Sequence, residues 1–211
     1  MKKMIIIMML PVALLSACTS AKITSSWRSA AISKPPVVKK VLVLALINQK
    51  DRSLQEAMEK EMRARLSDLG YNSYSALSLY GPKVFDGMSE KAVLDSMRNF
   101  GFDAVITIVL LNKRRERRYI QPQSHHMSGF WDYYDLRYNR IDDPGYYVTD
   151  TKYFWEANLY EMAGRQLLYS AQTRSFEYDT KKAMARDYSN LLISDMMKKK
   201  IIQSLKQDES D

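Results

Sequence analysis

The stretch VLVLALINQKDRSLQEAMEKEMRARLSDLG, residues 41–70, decides the fold. Its first seven residues, Val41 to Ile47, are apolar without interruption, as in a strand covered on both faces. Asn48 to Arg52 is polar and makes a turn. Leu54, Met58, Met62, Leu66 and Leu69 then recur at the spacing of one helix face, with charges between them. Ser53 and Glu56 match a capping box, in which each side chain satisfies the other residue's amide, and Gly70 stops the helix. A buried strand feeding an amphipathic helix is the opening of a βα unit, so the spacing predicts an α/β protein.

Toward the C-terminus the same logic continues. Tyr71 to Leu77 reads as a short second strand, followed by turn chemistry at Tyr80-Gly81-Pro82 and Asp86-Gly87. Ser89 caps a helix running to Phe100, with Val93, Leu94, Met97 and Phe100 on one face. Ala104 to Leu111, AVITIVLL, is a third strand, apolar and rich in β-branched residues. Tyr147 to Leu159 alternates, with Tyr153, Trp155, Ala157 and Leu159 on one face and Lys152, Glu156 and Asn158 on the other. Ala163-Gly164 supplies a hairpin turn, and Gln166 to Glu177 returns with Leu167, Tyr169 and Ala171 on one face. Thr180 caps a last helix to about Leu205, using Met184, Tyr188, Leu191 or Leu192, Met196 and Ile202. The order is βαβαβ, then ββ, then α: one α/β sandwich with helices on a mixed sheet, spanning residues 41–206. The acidic tail, 207–211, frays.

Between the third and fourth strands the pattern changes. Lys113-Arg114-Arg115-Glu116-Arg117-Arg118 charges both faces of what would be a continuing strand, so this segment projects beyond the core as a solvated ribbon. Residues 112–146 therefore form a basic and aromatic loop or ribbon. Phe130, Trp131, Tyr133, Tyr134 and Tyr138 fill its middle, and Asp143-Pro144-Gly145 closes it as a turn. Arg114, Arg115, Arg117 and Arg118 suit bidentate contact with phosphate or carboxylate. Trp131, Tyr133, Tyr134 and Tyr138 suit stacking on sugars or anchoring a protein. The plainer alternative is a solvated strand extension with a loop laid over the sheet edge.

On the N-terminal side, Lys2 and Lys3 precede a 12-residue apolar run, Met4 to Leu15. At ~1.5 Å per residue it spans about 18 Å, short of the ~30 Å hydrocarbon core, and Pro11 would break a long helix. A short apolar region behind two lysines, ending in small residues, reads as an export signal over residues 1–17. Leu15-Ser16-Ala17-Cys18 resembles the lipobox of bacterial lipoproteins. That resemblance implies a diacylglycerol thioether on Cys18, usually with an N-acyl chain, and two or three acyl chains anchor stably where one does not. Cys18 is the sole cysteine, so no internal disulfide is available. Residues 18–40, serine-rich and ending in Lys34-Pro35-Pro36, read as a lipidated tether. Trp27 within it is expected to pack back onto the domain, with the lipid interface as its other place.

The chain has 211 residues and a net charge of +8, falling to about +6 once the signal is removed. A basic balance often accompanies nucleic-acid binding, but an exported protein meets little nucleic acid, so that partner is excluded. An anionic membrane leaflet or a cell-wall polymer is the expected counter-surface, with solubility as the plain reading of the charge.

The chain offers few residues for catalysis or metal binding. His125 and His126, the two histidines, are adjacent and so do not share a face. With Asp132 or Asp135 they make a metal site only if the loop folds back. Asp142 and Asp143, beside Pro144-Gly145, suit a turn better than acid–base work. Seven glycines, none in a phosphate-binding loop after a strand, leave no nucleotide cradle. No metal and no cofactor is implied, apart from the covalent lipid on Cys18.

The lipobox, a Trp27-like residue in the tether, Lys40-Val-Leu-Val-Leu-Ala, the helix ending Leu69-Gly70, Gly101-Phe102-Asp103-Ala104-Val105-Ile106-Thr107 and the hairpin from Leu159 to Ala171 resemble a group of envelope lipoproteins. Their compact α/β domain is similar to the N-terminal domain of TolB, the curli-secretion lipoprotein and the lipoprotein activators of penicillin-binding proteins. The resemblance covers about residues 40–205, is closest to members of unknown function, and carries no catalytic signature. It implies a non-catalytic binding or assembly module, anchored to a membrane and contacting an envelope protein or the cell wall. Thr19, in place of the aspartate that retains such proteins at the inner membrane, points to the outer membrane, facing the periplasm. Two rivals remain. An enzyme acting on cell-wall carbohydrate would need convergent carboxylates, for which Glu156 and Glu177 are the acids on neighbouring strands. A structural subunit of a secretion complex would extract in detergent as a high-order ring.

Overall fold

A computed structural model describes residues 21–32, 34–82, 85–120, 130, 131, 134, 146–176 and 178–206. Six strands form one mixed sheet: β1 (Ala21–Arg28), β2 (Lys40–Leu46), β3 (Asn72–Ser75), β4 (Ala104–Ile120), β5 (Tyr146–Glu161) and β6 (Gln166–Phe176). Their spatial order is β1-β6-β5-β4-β2-β3. β2 runs parallel to β3 and β4, while β4, β5, β6 and β1 are antiparallel neighbours. The α/β class and the mixed sheet are as the sequence predicts.

The helices are α1 (Arg52–Asp68), α2 (Ala76–Tyr80), α3 (Glu90–Asn99) and α4 (Lys181–Lys198). α1 and α4 lie against each other on one face of the sheet. There Leu54, Met58, Met62 and Leu66 of α1 and Met184, Tyr188, Leu192 and Met196 of α4 meet alternate residues of β2, β4, β5 and β6. Trp155 sits at the centre, fully buried, stacked on Tyr153, tilted against Tyr188, and donating from Nε1 to Ser175 Oγ at 3.2 Å. A smaller core on the opposite face joins Leu42, Leu44, Ala76, Met97, Phe102 and Val105. The sheet is thus covered on both faces at β2–β4, which explains the uninterrupted apolar run there.

Two caps are found where the sequence puts them: Ser89 accepts from the Ala92 amide at 3.3 Å and Thr180 from the Ala183 amide at 3.1 Å. Other expectations are corrected. Residues 21–28 of the expected tether are an edge strand, paired with β6 and only half-buried, which is why its polar sequence hides it. Trp27 stands opposite Ser170 with half its surface exposed. The Ser53–Glu56 capping box does not form: Asp51 holds the N-cap position without a side-chain bond, and Ser53, inside the helix, accepts from Lys181. The second strand stops at Ser75, whose hydroxyl caps α2 by accepting from the Ser78 amide at 3.0 Å. Leu167 is not in line with Tyr169, because a bulge between the Leu159–Tyr169 and Tyr160–Leu167 pairs puts Leu168 and Tyr169 both inside. The last helix ends at Lys198, and Ile201 and Ile202 are buried beyond it. That terminal segment is tied back by the Leu205 amide, which donates to the Leu69 carbonyl at 2.7 Å.

A candidate interaction surface on the β4–β5 arm

The predicted ribbon is a two-stranded arm. β4 and β5 stay paired from Ala104↔Glu161 out to Ile120↔Tyr146, so the cationic run of β4 lies along the first half of β5. The last helix-side residues of β5 to be buried are Tyr153 and Thr151, so five rows, 116–120 against 146–150, extend free of the core. At ~3.4 Å per residue that is about 17 Å.

The register sorts the side chains onto two faces. A bulge between the Leu110–Trp155 and Asn112–Phe154 pairs inserts Leu111. Beyond it Arg114, Glu116 and Arg118 share a face with Lys152 and Asp150, while Lys113, Arg115, Arg117 and Tyr119 share the helix-side face with Tyr153, Thr151, Thr149 and Tyr147. The four predicted arginines are therefore split in pairs.

The two faces differ in electrostatics. On the first, Arg118 pairs with Asp150 at 3.1 Å, Glu116 pairs with Lys152, and Arg114 approaches Glu116 at 3.9 Å. The Lys152 hydrogen bond, then the charges of Lys152 and Arg114, hold the Glu116 carboxyl below its ordinary range. On the helix-side face, among the described residues, no carboxylate lies within ion-pair distance of Lys113, Arg115 or Arg117. Lys113 lies over the Tyr153 ring at 5.2 Å and Arg117 over the Tyr147 ring at 4.8 Å, with Tyr119 against Tyr147 at 5.2 Å. This face thus carries three uncompensated cations ending in a tyrosine pair.

Of the predicted aromatic set, Trp131 and Tyr134 contact each other and Phe130 at ring separations between 5.4 and 6.1 Å, all three exposed. Tyr133, Tyr138, His125, His126, Asp132, Asp135, Asp142, Asp143, Cys18 and Glu177 lie outside the described residues. Sequence reading missed Lys152, Asp150, Tyr119 and Tyr147. The signal was available: Tyr119 continues the ribbon's own strand, and pairing that strand with the alternating run from Tyr147 sets Lys152, Asp150 and Tyr147 opposite it.

Two clefts lie elsewhere on the described part of the domain. A cleft of about 530 Å³ opens at the C-terminal end of β2, where strand order turns between β3 and β4. Among the described residues its lining carries one carboxylate, Asp86, and one cation, Lys50. A second groove, about 410 Å³, lies between α3 and the sheet over Leu44, Val93, Met97 and Val105. Glu156, the carboxylate of the enzyme alternative, is held flat on the open sheet face by Asn158 at 3.1 Å and Gln172 at 3.4 Å. The described residues hold no group of three or more His, Cys, Asp or Glu able to bind a metal ion, and no helix among them is long and apolar enough to cross a membrane.

Glu59 is the buried acid that sequence reading did not single out. Fully enclosed on α1, it accepts from the amides of Ala45 (3.0 Å) and Leu77 (2.9 Å) and from the Ser75 hydroxyl. Burial pushes its carboxyl above the ordinary value, and those hydrogen bonds pull part of the way back. Its donors come from β2, β3 and the start of α2, so it acts as a rivet.

No protein-family model matches the sequence, and no curated protein does. Among solved structures, the PelC dodecamer from Paraburkholderia phytofirmans is similar at TM-score 0.41 and 12% identity, covering 82% of this chain and 94% of that one. Lipoprotein GNA1162 from Neisseria meningitidis is similar at 0.43 and 16%, covering 76% and 99%. A minor lipoprotein from Acinetobacter baumannii is similar at 0.30 and 8%, covering 77% and 94%.

Proposed function

We propose that the chain is a lipid-anchored, non-catalytic module of the bacterial cell envelope that binds another envelope component through the β4–β5 arm. The anchor is the lipidated Cys18, the membrane is the outer one, and the domain faces the periplasm. The resemblance to the TolB-type domain belongs to this reading. One observation carries it: the continuation of β4 and β5 beyond the helix cover, with its cations and tyrosines. Ordering those residues costs roughly 1–2 kcal/mol each in backbone entropy and buries little apolar surface in return. A two-stranded ribbon is marginal by itself. Contact with a partner is what such an arm supplies, and its charge selects an anionic one.

The test is in-cell photocrosslinking from positions 115 and 131, with identification of whatever is captured. A defined envelope protein, glycan or lipid adduct from position 115, lost when Arg115 is moved out of context by deleting residues 116–147, is the expected result. Capture at background from both positions would remove the arm as a binding surface. Cys18→Ser should release the protein from the membrane fraction; retention would remove the lipid anchor.

A further inference from the structure

The lipid anchor and the arm emerge from the same end of the sheet. β1 begins at Ala21, which stands opposite Ser175 of β6; Ser175 stands opposite Tyr153 of β5, and Tyr153 opposite Lys113 of β4. One row across four strands thus joins the start of β1 to the first cation of the arm. The sideways separation is three strand spacings of ~4.8 Å, about 14 Å. Cys18 precedes Ala21 by three residues, a reach of at most about 11 Å. The arm runs on from Lys113 to Ile120, seven residues or about 24 Å, away from that same row. The arm therefore overshoots any point that Cys18 can reach, and a bilayer close enough to take the acyl chains is within touch of it.

From this we infer that the helix-side face of the arm, with Lys113, Arg115, Arg117, Tyr119 and Tyr147, rests on the phosphate surface of the bilayer that holds Cys18. This inference rests on the lipid-anchored reading above and names the partner of the arm as anionic lipid. Charge complementarity chooses between the faces. Arg114, Arg118 and Lys152 are offset by Glu116 and Asp150, whereas Lys113, Arg115 and Arg117 have no carboxylate partner among the described residues. The tyrosines fit the headgroup level, where an aromatic ring meets apolar chains and its hydroxyl meets water. The arm lies along the surface without entering the hydrocarbon, because its strand edges carry unpaired backbone groups. Each cation near an anionic leaflet contributes about fivefold in affinity, so the three together contribute roughly a hundredfold.

The experiment uses the lipidated protein in vesicles. Its only native cysteine is consumed by the thioether, so Thr149→Cys, opposite Arg117 on this face, takes a single environment-sensitive fluorophore. Gln172→Cys on the open sheet face is the control. In vesicles of phosphatidylethanolamine with phosphatidylglycerol, a headgroup-level quencher should quench the label at 149 and spare the label at 172. Quenching at 149 should fall in phosphatidylcholine vesicles, with added salt, and in K113Q/R115Q/R117Q, whose circular dichroism should match the parent. Arg115→Gln alone, at an exposed position, should give a partial loss if the triple variant misfolds. Equal quenching at both positions, or none at 149, overturns the inference. If position 115 then still captures an envelope protein in cells, the binding-module reading stands while the lipid assignment fails. Absence of the lipid mass on Cys18 overturns both.

Discussion

Replacing Glu59 with glutamine tests how the parallel half of the sheet is held together. One carboxylate oxygen accepts from the Ala45 amide, and the other accepts from the Leu77 amide and the Ser75 hydroxyl. An amide turns one of those oxygens into a donor. The Ser75 hydroxyl can rotate to accept from it, but a backbone N–H cannot, so either Ala45 or Leu77 is left with a buried unpaired donor. That costs about 1–3 kcal/mol. The pH dependence has a definite sign. Burial raises the folded carboxyl above 4.5, its ordinary value when the chain is unfolded. Its contribution is whole below pH 4.5 and is lost as pH climbs through the folded value, at about 1.4 kcal/mol for each pH unit between the two. Glutamine has no such dependence. Urea denaturation of both proteins, followed by the fluorescence of buried Trp155, should therefore give a gap of about 1–3 kcal/mol in acid that narrows as pH rises. Taking the difference between the two proteins cancels every other titrating group. A gap that stays flat or widens above that range would refute the account of Glu59 as a desolvated rivet.

Thr180→Ala removes the acceptor for the Ala183 amide and should cost about 1 kcal/mol, with faster amide exchange in the first turn of α4. Gly70→Ala should cost more than Gly101→Ala in thermal melts. Both backbones are left-handed, a penalty of about 1–2 kcal/mol, but a Cβ at Gly70 meets Leu205 and Lys206 at 3.2 Å while one at Gly101 meets open space. Trp155→Ala should cost about 3–5 kcal/mol by equilibrium unfolding, since its ring fills the centre of the larger core.

The legible parts of the chain are those where burial repeats with the period of the backbone. β2 and the first half of β4 are covered on both faces and read as unbroken apolar runs, β5 is covered on one and alternates, and α1 and α4 show their core stripes. Caps at Ser89 and Thr180 were readable because each stands four residues before the first core-facing residue of its helix, Val93 and Met184. At Ser53 two polar residues, Asp51 and Ser53, were both able to open the helix, and the polar turn over Gln49–Asp51 decided for the earlier one. β1 was hidden because an edge strand with a half-wet face needs no apolar pattern. Glu59 was hidden because a charged residue next to a core stripe reads as solvent-facing until α2 folds over it. The arm was read as projecting, but its two-faced charge depends on a bulge, and nothing in composition announces a bulge.

That bulge makes the arm's chemistry a matter of counting. Leu111 is the extra residue, with half its surface exposed. If Leu111 instead paired regularly with Phe154, every residue from Asn112 outward would slip by one and change sides: Lys113, Arg115 and Arg117 would join Lys152 and Asp150, and Glu116 would sit among the helix-side threonines. No substitution along the arm could redistribute so much charge. A single-residue deletion at Leu111 would straighten β4 and leave those pairs as they are, whereas loss of the bulge with Leu111 kept would turn the arm inside out at unchanged composition and length, so the arm's preference for a partner rests on whether one leucine stays out of the ladder.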